Sequence, residues 1–182
     1  MKYMIASVAL IMAGSGIAAA QDAKFTVTSS SYADGGVIPK KNAGAAENCG
    51  SGGGLSPQVT WSNLPEGAKS VAILILDPDG QKGLGTSHLV AYNIPAEIGA
   101  LAEGAATQSG EGISVGPNLT GEPVYRGMCA QPTDNPHHYT MTVIATDLEP
   151  GALPEGLDRA ALMEALQGHA LAGQSVVGLY GQ

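Results

Sequence analysis

The sequence has few basic residues and no basic cluster. Lysine and arginine number 8 against 16 aspartate and glutamate residues, which leaves a formal net charge of −8 over 182 residues. Nucleic acids and anionic membrane surfaces attract proteins through clustered positive charge, which this chain lacks. We therefore expect no nucleic-acid partner, and any bound anion must be held by a local pocket rather than by the field of the whole chain.

Long apolar runs are absent after the N-terminus. Lys2 supplies a positive charge, residues 5–17 are largely apolar, and Ala18-Ala19-Ala20 has the small residues typical of a cleavage site. The apolar stretch is too short and too interrupted by glycine and serine to make a good membrane span. The pattern predicts a cleaved signal peptide over residues 1–20 and a single domain over residues 21–182. It also predicts no stable membrane insertion and a periplasmic or secreted location.

Cysteine is scarce as well. Only Cys49 and Cys129 occur, both in glycine-rich loop sequence. In an exported protein an even pair of cysteines indicates a disulfide. The alternative, a pair of free or metal-binding thiols, lacks a CxxC motif or a nearby histidine. We therefore predict a disulfide between Cys49 and Cys129.

The residues that are present indicate a β-rich domain. Glycine (26) and proline (11) separate short runs rich in β-branched residues. Strands are predicted over residues 25–29, 58–62, 70–77, 88–94, 139–147 and 175–180. Residues 71–76 are continuously apolar, which predicts a central strand buried on both faces, whereas Tyr139, Met141, Val143 and Ala145 alternate with polar residues. Residues 43–54 and 96–120 have little pattern and are predicted as long loops.

One helix is predicted near the C-terminus. Asp158 is a plausible N-cap, and Leu162, Ala165, Leu166 and His169 recur at helical spacing. We expect His169 to be a core or rim histidine with no functional role.

Two short segments carry the chemistry. Asp77-Pro78-Asp79 ends one apolar run and precedes His88, and Pro136-His137-His138-Tyr139 opens another. Residues two apart on a strand share a face, so both aspartates are expected on one side, with His137 and Tyr139 inward and His138 outward. An aspartate beside His88 should favour the protonated ring. The alternatives are a turn cap for the aspartates and a surface position for the histidine pair.

Together with Ser56-Pro57-Gln58-Val59-Thr60-Trp61 and the G-x-C of Gly127 and Cys129, these segments resemble the phosphatidylethanolamine-binding protein family, in its bacterial Raf-kinase-inhibitor-like branch. The similarity runs from about Phe25 to Tyr180. It implies a mainly β fold: a β-sandwich-like core of antiparallel sheets with short peripheral helices and one C-terminal helix. Cys49 matches a cysteine of exported bacterial relatives. The resemblance assigns a ligand pocket to Asp77, Asp79, His88, Pro136, His137 and Tyr139.

The chain departs from the family pattern at several positions. Gln81, Ala130 and Gln131 stand where the family has prolines, and Ser87 and Leu89 replace large aromatic residues. The sequence therefore defines the location of the pocket better than the identity of its ligand. Because an exported protein does not meet cytosolic kinases, we do not extend the kinase inhibition known for some family members to this chain.

The resulting prediction is an exported, non-enzymatic protein that binds phosphate-like groups or phospholipid head groups as a monomer or weak homodimer. Two aspartates and two histidines could in principle ligate a transition metal, but no HExxH motif supports one, and we expect no metal and no cofactor. The main alternative is an inhibitor that docks on an exported hydrolase or a host protein through the pocket rim. A weak phosphoesterase is the third interpretation, for which no nucleophile is identified.

Overall fold

The computed structural model describes residues 23–110 and 112–182, so the predicted signal peptide lies outside the described residues. The strands described form two sheets. They are β1 (Thr26–Thr28), β2 (Gly36–Val37), β3 (Val59–Ser62), β4 (Ser70–Asp77), β5 (Thr86–Pro95), β6 (Ala100–Leu101), β7 (Ser114–Val115), β8 (His137–Thr146) and β9 (Ala170–Tyr180). The helices are α1 (Gly80–Gly83), α2 (Arg159–Ala165) and three short 3₁₀ segments, Lys40–Asn42, Glu47–Cys49 and Ala96–Ile98.

The larger sheet has six strands in the order β2-β9-β8-β4-β5-β7. Strand β4 lies near its middle, antiparallel to both β5 and β8. All residues of β4 except Leu76 are buried, which confirms the prediction of a central strand buried on both faces. The pairing of β2 with β9 is parallel, so this sheet is mixed rather than wholly antiparallel.

The smaller sheet, in the order β1-β3-β6, packs on one face of the larger one. Trp61 of β3 lies in the shared core with Ile73 of β4 and Met141 of β8, and its indole Nε1 donates to the carbonyl of Ala96 at 2.8 Å. The predicted alternation in β8 is confirmed, because Tyr139, Met141, Val143 and Ala145 are all buried. The mainly β, sandwich-like fold class is thereby confirmed.

Helix α2 covers the other face of the larger sheet. Leu162 and Leu166 pack on Leu74, Val90 and Tyr92. The carboxylate of Asp158 accepts a hydrogen bond from the backbone N–H of Ala161 at 2.9 Å, which confirms the predicted N-cap. Because the helix ends at Ala165, His169 lies beyond it, half-exposed at the rim and 2.8 Å from Asp147.

The differences from the predicted elements are confined to their ends and to very short strands. Strand β9 starts at Ala170 and β5 at Thr86, both earlier than predicted, whereas β1 is shorter. The long loops predicted over residues 43–54 and 96–120 contain two of the 3₁₀ segments and the two-residue strands β6 and β7. No helix in the described part of the chain is long and apolar enough to cross a membrane.

The predicted disulfide between Cys49 and Cys129 is present. It joins the 3₁₀ segment Glu47–Cys49 to the segment that precedes β8. Two further contacts hold the same region: the hydroxyl of Tyr180 donates to the carbonyl of Cys49 at 2.9 Å, and the side-chain amide of Gln182 donates to the carbonyl of Ala130 at 2.6 Å.

Candidate functional site

The candidate site lies at one end of the larger sheet. Strand β4 ends there at Asp77, β5 begins at Thr86, and β8 begins at His137. Because β4 is antiparallel to both neighbours, the end of β4 lies beside the starts of β5 and β8. Side chains from three strands that are distant in sequence therefore meet at this end.

Asp77 is buried and uses both carboxylate oxygens. Its Oδ1 accepts hydrogen bonds from the backbone N–H groups of Asp79 and Gly80, each at 2.9 Å, and its Oδ2 accepts from Nδ1 of His137 at 2.9 Å. The first pair of bonds is an Asx-type turn cap and the third is a site contact. Asp77 therefore performs both roles that the sequence left as alternatives.

Gly80 makes this arrangement possible. A Cβ atom at this position would lie 2.7 Å from the hydroxyl of Thr86 and 3.1 Å from Oδ2 of Asp77. Any larger residue would push the turn away from the start of β5 and from the carboxylate.

The two adjacent histidines point to opposite sides, as predicted. The side chain of His137 is 15% exposed, whereas that of His138 is 59% exposed. The reason is the two-residue period of a β-strand. His138 donates from its backbone N–H and from ring Nδ1 to Oδ2 of Asp79, at 2.8 and 2.9 Å.

The prediction that both aspartates face one side is wrong in its detail. The chain turns at Pro78, so the extended geometry on which it rested ends at Asp77. Asp77 points into the protein and pairs with His137, whereas Asp79 is exposed and pairs with His138. The hydrogen bonds from His138, the backbone one first, hold the pKa of Asp79 below its usual range.

His88 is close to Asp77 but is not its hydrogen-bond partner. Its Nε2 lies 3.9 Å from Oδ2 of Asp77, and its Nδ1 donates to the carbonyl of Arg126 at 2.8 Å. Since the carbonyl can only accept, Nδ1 carries the proton and Nε2 can accept from the hydroxyl of Thr86 at 3.2 Å. Burial lowers the pKa of His88 from 6.5, against the smaller raising effects of the Arg126 carbonyl and of Asp77. Burial thus opposes the protonation that the sequence predicted for His88.

Tyr139 forms the inner wall of the site. Its ring is fully buried, with its centroid 5.2 Å from that of His88 and 6.4 Å from that of His137. Its hydroxyl accepts a hydrogen bond from the backbone N–H of Cys129 at 3.1 Å. Burial raises the pKa of Tyr139, so the phenol stays protonated and holds the disulfide-linked segment against the two imidazoles.

The lowered pKa of His88 predicts that the stability of the protein depends on pH. Because the folded-state pKa is lower than the ordinary value of 6.5, the unfolded chain binds more protons once the pH falls below that value. We expect the free energy of unfolding to fall between about pH 7 and about pH 5, at most by about 1.4 kcal/mol per pH unit from this residue.

Urea unfolding of the wild type and of His88→Gln at both pH values checks this expectation. All other titrating groups are common to the two proteins, so the variant should lose less stability on acidification. An equal loss in both would contradict a neutral, buried His88.

A polar cavity of about 620 Å³ opens in front of His137. It is lined by charged and imidazole side chains and a proline, among them Asp79, Lys82, Asp134, Pro136, His137 and His138. Oδ2 of Asp134 lies 3.7 Å from Nε2 of His137, so this ring stands between two carboxylates. Of the predicted site residues, Asp79, Pro136 and His137 line this cavity. Asp77 lines a neighbouring groove, and His88 and Tyr139 line neither.

Lys82 and Asp134 were missed by sequence reasoning. Lys82 lies in the four-residue α1 and Asp134 in the loop before β8, and neither belongs to a strand pattern that would orient it. Lys82 and its neighbour Gln81 have left-handed backbone conformations, with φ of 61° and 50°. Gln81 thus adopts a conformation that the fixed φ of a proline would prevent, so the turn as it stands could not hold a proline at this position.

Two further features bear on the metal and hydrolase alternatives. Among the described residues, no group of three or more histidine, cysteine, aspartate or glutamate side chains is arranged to hold a metal ion. Residues 112–116 form a G-x-S-x-G string, but Ser114 lies in the short strand β7 rather than at a turn between a strand and a helix. Its hydroxyl accepts from the side-chain amide of Asn93 at 3.0 Å.

Comparisons with known proteins agree with this architecture. A family model described as phosphatidylethanolamine-binding protein matches residues 28–181. The UPF0098 protein YbcL of Escherichia coli is 37% identical over 134 residues, 71% of this chain and 73% of its own length. A UPF0098 protein of Chlamydia pneumoniae is 35% identical over 158 residues, 84% of this chain and 95% of its own length.

Solved structures resemble the fold closely. The crystal structure of YbcL of Escherichia coli, described as a new member of the mammalian PEBP family, has a TM-score of 0.80 at 30% identity and covers 88% of this chain and 99% of its own. A putative phosphatidylethanolamine-binding protein homologue from Chlamydia trachomatis has a TM-score of 0.73 at 30% identity. The match covers 89% of this chain and 99% of the homologue.

Proposed function

The chain belongs to the phosphatidylethanolamine-binding protein family, and from this premise we propose that it is an exported binding protein for phosphate-like groups, above all the zwitterionic phosphoethanolamine head group of a phospholipid. The observation that carries the proposal is the placement of His137. Its Nδ1 is held by the buried carboxylate of Asp77, and its Nε2 lies at the wall of the polar cavity, beside Asp134.

The charges around the cavity suit a zwitterion better than a simple anion. Lys82 and the imidazole of His137 can donate to phosphate oxygens, whereas Asp79 and Asp134 can accept from an ammonium group. Within a chain of net charge −8, a phosphate is held only where such donors converge. Asp77 does not compete for the ligand, because three donors already occupy its two oxygens.

We further propose that binding occurs without turnover. The cavity has an imidazole held by a carboxylate, but the described residues that line it include no serine or cysteine. Cys129 is in the disulfide, and Ser114 contacts Asn93. We expect no hydrolysis of phosphomonoesters or phosphodiesters. Hydrolysis that disappears in His137→Ala, with the fold intact, would identify an enzyme instead.

Substitution of the two adjacent histidines tests the proposal. His137→Ala should weaken binding of phosphoethanolamine roughly 10- to 100-fold, which corresponds to the loss of one hydrogen bond to a charged group, about 1.5–3 kcal/mol. His138→Ala is the matched control, since its side chain is mostly exposed and bonded to Asp79. The measurement is an NMR titration of the mature protein with phosphoethanolamine and, separately, with inorganic phosphate.

The outcomes separate the competing functions. Equal losses in the two variants, or shifts that avoid the segment from Asp77 to His88, would place the pocket elsewhere. Native mass spectrometry of the protein from its own compartment supplies a second readout. A co-purifying lipid supports the proposal, whereas a stoichiometric protein partner without lipid supports the inhibitor interpretation.

A further inference from the structure

The loop between β4 and β5 carries the most exposed large hydrophobic side chain among the described residues. Leu84 is 86% exposed. It stands between Gly83 and Gly85, both of which have positive φ. A single exposed leucine is common on protein surfaces and by itself indicates no function. The residues around Leu84, however, indicate a binding surface.

The loop borders two cavities. Gln81 and Lys82 line the polar cavity in front of His137. Residues 83–85 line a second groove, of about 440 Å³, whose apolar wall includes Leu76 and which also contains Arg159. Leu84 therefore projects immediately beside the opening of the proposed head-group pocket.

Positive charge flanks this leucine. Lys82 and Arg159 are both exposed, in a chain with only 8 lysine and arginine residues. Among the described residues, the ion pairs of lysine and arginine are Lys41–Glu103 and Lys69–Glu149, so neither Lys82 nor Arg159 is neutralised by a described carboxylate.

Negative charge lies at the same end of the sheet. The carboxylates of Asp79 and Asp134 border the polar cavity. A surface that presents both signs around an apolar tip matches zwitterionic phospholipids, whose head groups expose a phosphate and an ammonium. The net charge of −8 disfavours an anionic bilayer.

We propose that this end of the sheet, formed by Lys82, Leu84, Arg159 and the mouth of the polar cavity, docks on a zwitterionic phospholipid bilayer. Leu84 enters the interface between head groups and acyl chains, and Lys82 and Arg159 contact lipid phosphates. Asp79 and Asp134 face lipid ammonium groups. The inference rests on the proposed head-group binding and adds that the pocket receives its head group from a lipid that is still in the bilayer.

Co-sedimentation with vesicles tests this surface. The full mature chain is mixed with vesicles of phosphatidylcholine and phosphatidylethanolamine. Leu84→Ser should lower the partition coefficient between vesicles and water at least about tenfold, because the leucine side chain no longer transfers from water into the bilayer. Ile98→Ser is the matched control, because Ile98 is 48% exposed and follows β5 at the opposite end of the sheet. It should bind vesicles as the wild type does.

Fluorescence gives an independent readout. The single tryptophan, Trp61, is buried, so its emission is a constant background. In Leu84→Trp the added indole should shift its emission to shorter wavelength when vesicles are added. An unchanged spectrum together with wild-type vesicle binding by Leu84→Ser overturns the docking surface.

Soluble phosphoethanolamine separates this inference from the function on which it rests. Leu84→Ser should bind phosphoethanolamine as tightly as the wild type. If the wild type binds phosphoethanolamine but not vesicles, the docking surface is wrong and the head-group pocket stands. If the wild type binds vesicles through Leu84 but does not bind phosphoethanolamine, the proposed function is wrong and the surface stands.

Discussion

Removing the disulfide should lower the free energy of unfolding by roughly 4 kcal/mol, the chain-entropy value for a cross-link that closes a loop of 80 residues. The double substitution Cys49→Ser/Cys129→Ser leaves both side chains similar in size and removes only the covalent link. The unfolded chain then gains conformational freedom, while most folded contacts remain. Urea unfolding of the mature protein without reductant is the measurement.

The wild type supplies the control. When unfolded in the presence of a reductant it should show the same stability as the double variant, because both lack the link. Loss of the disulfide should also loosen the candidate site, because the backbone N–H of Cys129 donates to the hydroxyl of Tyr139. A loss below about 1 kcal/mol would mean that the loop ends stay together without the link.

The second large effect is expected for Asp77→Ala, which should lower the free energy of unfolding by about 3 kcal/mol. The substitution removes the acceptor of three hydrogen bonds, from the backbone of Asp79 and Gly80 and from His137. The turn after β4 loses its cap, and the mostly buried imidazole of His137 loses its partner. Chemical denaturation at neutral pH checks this loss.

Two variants control this prediction. Asp79→Ala removes an exposed carboxylate that pairs with the exposed His138, and such pairs contribute less than about 1 kcal/mol. Asp77→Asn keeps an acceptor for the turn cap and loses the negative charge next to His137, so its effect should lie between the other two. Equal losses for Asp77→Ala and Asp79→Ala would contradict the different roles assigned to the two carboxylates.

The two proposals place the functional chemistry at one end of the larger sheet. That end has an inner shell of buried side chains, Asp77, His88 and Tyr139, and an outer cavity lined by His137 and loop residues. The inner shell is already satisfied by its own hydrogen bonds, and burial favours the uncharged forms of His88 and Tyr139. In the proposed function this inner shell holds the cavity in shape, whereas recognition of the ligand falls to His137, Lys82, Asp79 and Asp134.

The local sequence pattern was sufficient to predict the positions of the long strands and of the C-terminal helix. Strand β4 has the predicted bounds, Ser70–Asp77, because a run of apolar residues meets a proline and charged residues at its end. The cap of α2 by Asp158 and the inward position of His137 were predicted because capping and strand alternation depend on neighbours in the chain. The disulfide was predicted from an even pair of loop cysteines in a chain with an export signal.

Tertiary structure decided everything that depends on partners distant in sequence. Strands β6 and β7 have two residues each, and their pairing with β3 and β5 leaves no periodic pattern. The pairing of Asp77 with His137 rather than with His88 depends on the register between β4 and β8 and on the turn at Pro78. The lowered pKa of His88 is a consequence of its burial, in a position where its ring contacts Tyr139 and donates to the carbonyl of Arg126. Residue identity and spacing thus determined which side chains could form a site, whereas strand register, loop conformation and burial determined their contacts and charges, because these depend on the three-dimensional packing of distant segments.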